Sequence, residues 1–141
     1  MQIRKAGIND VPVIAELMAQ LWPNHTAEEM AEELAESLTQ SDVAIFLADQ
    51  VGFAQCQLRR DYVEGTQSSP VGYLEGIYIS EAHRHQGLAR ELVSACESWA
   101  KEKGCVEFAS DCELSNTQSL KFHLGVGFTE ANRIVCFTKK L

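Results

Sequence analysis

The segment from Val71 to Lys103, VGYLEGIYISEAHRHQGLARELVSACESWAKEK, decides how the rest of the chain is arranged. Its first part, Tyr73 to Ile79, is rich in aromatic and β-branched residues and reads as a strand. Its second part repeats Leu88, Ala89, Leu92, Val93, Cys96, Trp99 and Ala100 at three-and-four spacing, one apolar helix face. Gly104 follows as a helix stop. Between the two parts lies Arg84-His85-Gln86-Gly87-Leu88-Ala89. A glycine opening a helix lets the backbone approach a ligand, and the first helical turn carries free N–H groups that can hold a phosphate. On spacing alone, the segment is equally an ordinary strand–turn–helix with a glycine at its turn. Neither GxxxxGK[ST] nor GxGxxG is present.

The rest of the chain falls into place around this unit. Ile3 to Ala6 reads as a short first strand. Asn9 or Asp10 offers a helix cap, Pro12 sits in the first turn, and Val13, Ile14, Leu17, Met18 and Leu21 form the stripe of a first helix. Trp22-Pro23 stops it. Thr26-Ala27-Glu28-Glu29 reads as a capping box for a second helix carrying Met30, Leu34 and Leu38, with Glu28, Glu29, Glu32, Glu33 and Glu36 outward. Val43 to Ala48 and Val51 to Leu58 are two strands joined at Asp49-Gln50. Arg59 to Pro70 is a long polar loop, a usual place for function. After the central unit come a buried strand at Cys105 to Ser110, a short helix from Ser115 or Asn116 to about Leu124, and one or two closing strands from Phe128 to Lys140. The expected class is α/β: a mixed central sheet with helices on both faces, in one domain spanning residues 1–141.

Composition narrows the functions. The chain has 141 residues, 45% of them hydrophobic, enough for a real core. A net charge of −8 argues against a nucleic-acid partner and suits a cationic one. No apolar run approaches the ~20 residues of a membrane span, and the polar start carries no secretory signal, so a cytoplasmic protein without a membrane partner is expected. The five cysteines are scattered without a C-x-x-C, which suits reduced, packed thiols. His83 and His85 lack partner ligands nearby, so no metal is expected.

The pattern R-x-x-G-x-A after an apolar strand resembles the acetyl-CoA pyrophosphate loop of the GNAT acetyltransferase superfamily. Within it, the chain is most similar to the aminoglycoside 6′-N-acetyltransferases. Leu21-Trp22-Pro23-Asn24-His25, Arg60-Asp61-Tyr62-Val63-Glu64-Gly65, Ser69-Pro70-Val71, Leu74-Glu75-Gly76-Ile77-Tyr78, Phe108-Ala109-Ser110-Asp111 and Gly127-Phe128 carry the likeness. It implies an acyltransferase that uses acetyl-CoA to acetylate the 6′-amine of an aminoglycoside antibiotic, conferring resistance, and it implies a homodimer. It also implies that the strands flanking the central helix splay apart to admit the pantetheine arm. By the same resemblance, Ile77, Tyr78 and Ile79 pair with that arm through their main chain, Arg84, His85, Gln86, Gly87, Leu88, Ala89 and Arg90 hold the pyrophosphate, and Asn116 touches the arm.

Acetyl transfer to an amine requires loss of a proton from the ammonium, a donor to the thioester oxygen and a proton for the departing thiolate. Glu75 and Asp111 have no obvious local partners in the sequence. On pattern alone, Glu75 is equally a solvent-facing strand residue and Asp111 a turn residue. The resemblance makes them ligands for substrate amines and candidates to remove the proton. It makes Trp22 a flat wall of the sugar pocket and brings Tyr62 into contact with substrate, with His25 near the same pocket. Superfamily members often place a tyrosine seven residues after Asn116 as proton donor to the thiolate; here the position is His123. Relatives often carry an acid four residues after the Gly-Phe pair; here it is Asn132. Two rival readings stand beside this one: a GNAT acting on a polyamine or a protein N-terminus, and a non-catalytic acetyl-CoA-binding module.

Overall fold

The computed structural model describes residues 2–141. Five strands form one sheet in the order β1 (Ile3–Lys5), β2 (Val43–Ala48), β3 (Gly52–Arg59), β4 (Val71–Ile79) and β5 (Phe108–Ala109). The first four make an antiparallel meander, and β5 joins β4 in parallel. The helices are α1 (Val11–Leu21), α2 (Ala27–Ser37), α3 (Leu88–Glu102) and α4 (Thr117–Gly125). α3 is the crossover between β4 and β5, as parallel strands require.

Strand alternation sorts the core into two layers. Ala44 and Ala48 of β2, Ala54, Cys56 and Leu58 of β3, and Leu74 and Ile79 of β4 pack with Leu88, Leu92, Val93, Cys96, Trp99 and Ala100 of α3. Ile45, Leu47 and Phe53 pack with Ile14, Ala15, Leu17 and Met18 of α1 and Met30 and Leu34 of α2 on the other face. Each fully buried Leu or Ile contributes about 1.5–3 kcal/mol of transfer free energy. Three cysteines, Cys56, Cys96 and Cys105, are buried free thiols. A hydrogen bond with Cys56, followed by burial, pushes the Cys96 thiol up.

Local chemistry sets the helix starts. Thr26 caps α2, its hydroxyl accepting from Glu29 N–H at 3.2 Å. Asp10 precedes α1 but spends its carboxylate elsewhere, on Arg4 (2.9 and 2.6 Å) and Gly7 N–H (2.8 Å), which ties β1 to the turn before α1.

One irregularity in β4 positions the site. Gln55 stands opposite Gly76 and the next β3 residue, Cys56, stands opposite Leu74, so Glu75 is the extra residue of a β-bulge. The bulge changes which residues face which layer. Leu74 and Ile77, an odd number of residues apart, both pack on the α3 side.

The sequence and the structure differ at the C-terminal end. The buried strand expected from Cys105 to Ser110 is only Phe108–Ala109, paired to Gly72 and Tyr73. Beyond Tyr73 the β5-facing edge of β4 is left open. The closing strands expected between Phe128 and Lys140, the sixth and seventh of the sheet, are not formed. A strand needs an edge to pair with, and this segment meets none within the described chain; Ile134, Val135 and Phe137 remain exposed.

Candidate active site

A groove of about 390 Å³ opens on the α1/α2 face, within the size range of small-molecule clefts. Trp22 and His25 line it where α1 gives way to α2, with Met30, Glu33 and Leu34 from α2, Gln55 and Gln57 from β3, and Glu75 from the bulge. Trp22 turns a ring edge toward the strand: a Cβ at Gly76 would sit 2.8 Å from its ring atoms Cζ2 and Cη2. Its ring also meets Phe53, centroids 6.3 Å apart. His25 faces Glu29 at 3.4 Å. The structure thus brings Trp22, His25 and Glu75 together and adds Glu33, which periodicity assigns to the outer face of α2.

Glu75 and Asp111 are not the free carboxylates that the local sequence suggests. Arg59 grips Glu75 with two hydrogen bonds, Nε to Oε2 at 3.0 Å and Nη2 to Oε1 at 2.8 Å. The same guanidinium lies over the Tyr73 ring, 3.4 Å from its centroid. The Tyr73 hydroxyl donates to Asp111 Oδ2. The reason for the correction is that these partners lie 16 and 38 residues away and meet only through sheet pairing. The Glu75 hydrogen bond is the main cause that raises the Arg59 pKa. Burial and the bond to Asp111 push the Tyr73 hydroxyl up as well, so it remains a donor at physiological pH.

A second set of contacts lies at the end of β5. His123 on α4 places Nδ1 2.7 Å from the Ser119 carbonyl and Nε2 2.8 Å from Ser110 Oγ. Ser110 Oγ in turn donates to the Leu74 carbonyl at 3.2 Å. A carbonyl only accepts, so Nδ1 carries a proton. If Ser110 gives its one proton to Leu74, Nε2 must also be protonated to complete the chain. With a neutral ring, Ser110 turns its proton to Nε2 instead. The three groups therefore form a short hydrogen-bond chain from α4 to the strand beside the bulge.

The residues expected at the phosphate leave the start of α3 open. Gly87 adopts φ +82°, caps α3 without a side chain, and has open space where a Cβ would stand. The N–H groups of the first turn of α3 thus face outward without a capping side chain. Leu88 turns its side chain into the core, leaving only its N–H for a ligand. His85, also left-handed at φ 62°, and Gln86 are exposed. Arg84 holds the Ile79 carbonyl through Nε at 2.8 Å, and Arg90 reaches the Gly125 carbonyl at 2.7 Å. Ile77, Tyr78 and Ile79 lie on the part of β4 that β5 does not cover. Asn116 caps α4, its Oδ1 accepting from Ser119 N–H at 3.0 Å.

Three residues expected at the substrate stand apart from the groove. Asp111 is exposed just past β5 and does not line it. Tyr62 is 76% exposed in the long loop. Asn132 donates to Glu64 at 2.8 Å. Glu33 in the groove, and Arg59 and Tyr73 beside it, lie outside the quoted motifs, while Ser110 lies within one, next to Asp111. One signal does point to Arg59: on β3, Phe53, Gln55, Gln57 and Arg59 share a face, and its switch from apolar to polar marks where helix cover ends and the groove begins.

The acetyltransferase (GNAT) family model matches residues 12–128, and the chain belongs to that family. Aminoglycoside N(6′)-acetyltransferase type 1 of Stenotrophomonas maltophilia is 41% identical over 144 residues, covering 99% of this chain and 93% of that protein. The protein of the same name from Salmonella typhimurium is 37% identical, covering 99% of both. Among solved structures, AAC(6′)-Iy in complex with the bisubstrate analog CoA-S-monomethyl-acetylneamine superposes with a TM-score of 0.93 at 37% identity, covering 99% of this chain and 98% of that one.

Proposed function

We propose that this chain is an acetyl-CoA-dependent aminoglycoside 6′-N-acetyltransferase whose substrate lies in the groove between Trp22 and Glu75. The observation that carries the reading is the meeting of an acid-lined groove with the open half of β4, in a chain whose relatives bear that activity. The residues on the page fit acetyl-CoA: the uncapped N-terminus of α3 at Gly87 suits its phosphates, and the open edge at Ile77 to Ile79 suits its amide-bearing arm. When bound, it supplies the acetyl group as an activated thioester.

The chain's own groups divide the remaining work. Glu75 and Glu33 give the groove a negative lining that draws and orients a polycation, and Trp22 supplies a flat apolar wall. Asp111 keeps one carboxylate oxygen for a substrate ammonium while Tyr73 occupies the other. Glu75 or Asp111 takes the proton from the reacting amine, directly or through water. A main-chain N–H on the open edge of β4 donates toward the developing oxyanion; such a donor is typically worth ~100-fold in turnover. With its ring protonated at both nitrogens, His123 gives its Nε2 proton to Ser110 Oγ as the Ser110 hydroxyl releases its own proton toward the departing sulfur. His25 lines the groove beside Trp22, whereas Tyr62 and Asn132 would meet only a substrate that extends beyond it.

The reading includes a single domain over residues 1–141, a cytoplasmic setting and no nucleic-acid or membrane partner, in keeping with the net charge of −8. Among the described residues, no helix is long and apolar enough to cross a membrane. It also includes a homodimer, supported by the exposed Ile134, Val135 and Phe137 beyond α4. Expression in a susceptible bacterium tests the activity. Growth on kanamycin and tobramycin, but not on a gentamicin component lacking a usable 6′-amine, is the expected result. Equal sensitivity to all three, with acetylation of spermidine instead, would replace this reading with a polyamine acetyltransferase.

A further inference from the structure

We infer that Arg59 is a positioning residue: its two-bond grip on Glu75 and its stack on Tyr73 hold Glu75 and Asp111 at a fixed spacing, and this spacing sets how the substrate's ammonium groups are received. The inference rests on the proposed aminoglycoside site and adds to it a residue that does not touch the substrate.

The argument starts from the bulge. Glu75 is the extra residue opposite β3, so the ladder alone does not fix where its side chain points. Its side chain is only 19% exposed, and a carboxylate so placed is costly unless paired. Arg59 stands opposite Val71 in the ladder and reaches along the sheet face, past Tyr73, to Glu75. Its fork uses one lone pair on each carboxylate oxygen and leaves the others to accept from an ammonium.

Arg59 grips Glu75 from outside the groove. Glu75, Gln55 and Gln57 line that groove and Arg59 does not. The flat face of its guanidinium rests on Tyr73, 3.4 Å from the ring centroid, so the cation is held on the β4 side. A substrate entering beside Trp22 would meet Glu75 with Arg59 still in place. Tyr73 extends the bracket, its ring under Arg59 and its hydroxyl on Asp111. One cation between two carboxylates also leaves the cluster net negative, so the attraction for a polycation survives.

A double-mutant cycle tests this on the full-length protein, with kanamycin and acetyl-CoA as the two substrates. Arg59→Met keeps the length and loses both the fork and the charge. It is expected to lower kcat/KM for kanamycin on the order of tenfold or more, with calorimetric binding of CoA unchanged. In a Glu75→Gln background the same change should have a clearly smaller further effect, because only the path through Tyr73 and Asp111 remains. Arg59→Lys keeps the charge without the planar fork and should recover only part of the loss. It also carries the cycle if Arg59→Met does not fold. Tyr73→Phe, which releases Asp111, should act in the same direction. Effects of Arg59 and Glu75 that simply add, a variant at the wild-type level, or a lower KM for kanamycin in Arg59→Met would each overturn the inference. A wild-type protein with no kanamycin turnover overturns the proposed function and the inference together. An active wild type with an additive cycle overturns the inference alone.

Discussion

The two halves of β4 do different work. At Gly72 and Tyr73 the strand sits between β3 and β5, and the side chains from Val71 to Leu74 are buried. From Glu75 to Ile79 it keeps β3 on one side and has no strand on the other. The bulge at Glu75 is the border. In the first half, side-chain volume is the constraint: a Cβ at Gly72 would stand 2.7 Å from both Ala100 Cβ and Phe108 Cδ1. In the second half, free backbone groups and one aimed carboxylate are the constraint. One strand thus provides both the scaffold and the reactive edge, and the lesson is that a pairing that stops early is as informative as one that forms.

The contrast gives an ordered set of expectations. The largest effect belongs to the second half. Glu75→Gln removes a charge-assisted contact of about 1.5–3 kcal/mol, so kcat/KM for kanamycin should fall by roughly 10- to 100-fold with little change in CoA affinity. Steady-state kinetics alongside calorimetry would separate the two, and a parallel loss of CoA binding would show that the halves are not independent. Gly72→Val probes the first half. Overpacking there should cost about 1–3 kcal/mol of stability, read as a lower urea midpoint, while turnover of the surviving folded protein stays near wild type.

A smaller effect is expected at Gly76, just past the border. Gly76→Ala places a methyl against Trp22, so the ring must shift; KM for kanamycin should rise a few-fold while kcat changes less. Unchanged KM would remove Trp22 from the pocket wall. The smallest effect lies at the far edge of the sheet. Hydrogen bonds from Arg4, then from Gly7, hold the Asp10 carboxyl down to about 2, below its ordinary 3.8. A lowered folded pKa means this contribution is fully present above about 3.8 and fades as pH falls through about 2. Urea denaturation of the wild type and Asp10→Asn should therefore differ above pH 4 and converge near pH 2, with both halves of β4 unaffected.

Much of this was legible in the residues, and the limits have physical causes. Three-and-four spacing marks α3, and Thr26 to Glu29 marks the start of α2, because periodicity and caps are local. Gly87 is legible for the same reason, standing where a strand hands over to a helix. The Arg59–Glu75 pair is not, because it depends on a diagonal reach across two strands. The bulge is also silent: LEGIY reads as simple alternation, and only the register shows that Leu74 and Ile77 share a face. Glu33 misleads through its neighbours, since Glu28, Glu29, Glu32 and Glu36 surround it with the pattern of a solvated face. The C-terminal segment carries strand-forming residues such as Ile134 and Val135, yet propensity cannot supply the edge on which they would pair.

The account's central claim is that the bulge of β4 presents Glu75 to the substrate beside the open edge that serves acetyl transfer. Locating the acetyl group on the product tests it most directly. Purified protein would be incubated with kanamycin and acetyl-CoA, and the product examined by two-dimensional NMR, for the wild type and for Glu75→Gln. The account predicts one acetyl group on the 6′-nitrogen, formed by the wild type and formed at least about tenfold more slowly by the variant. Acetylation at another amine, or equal rates from both proteins, would contradict it.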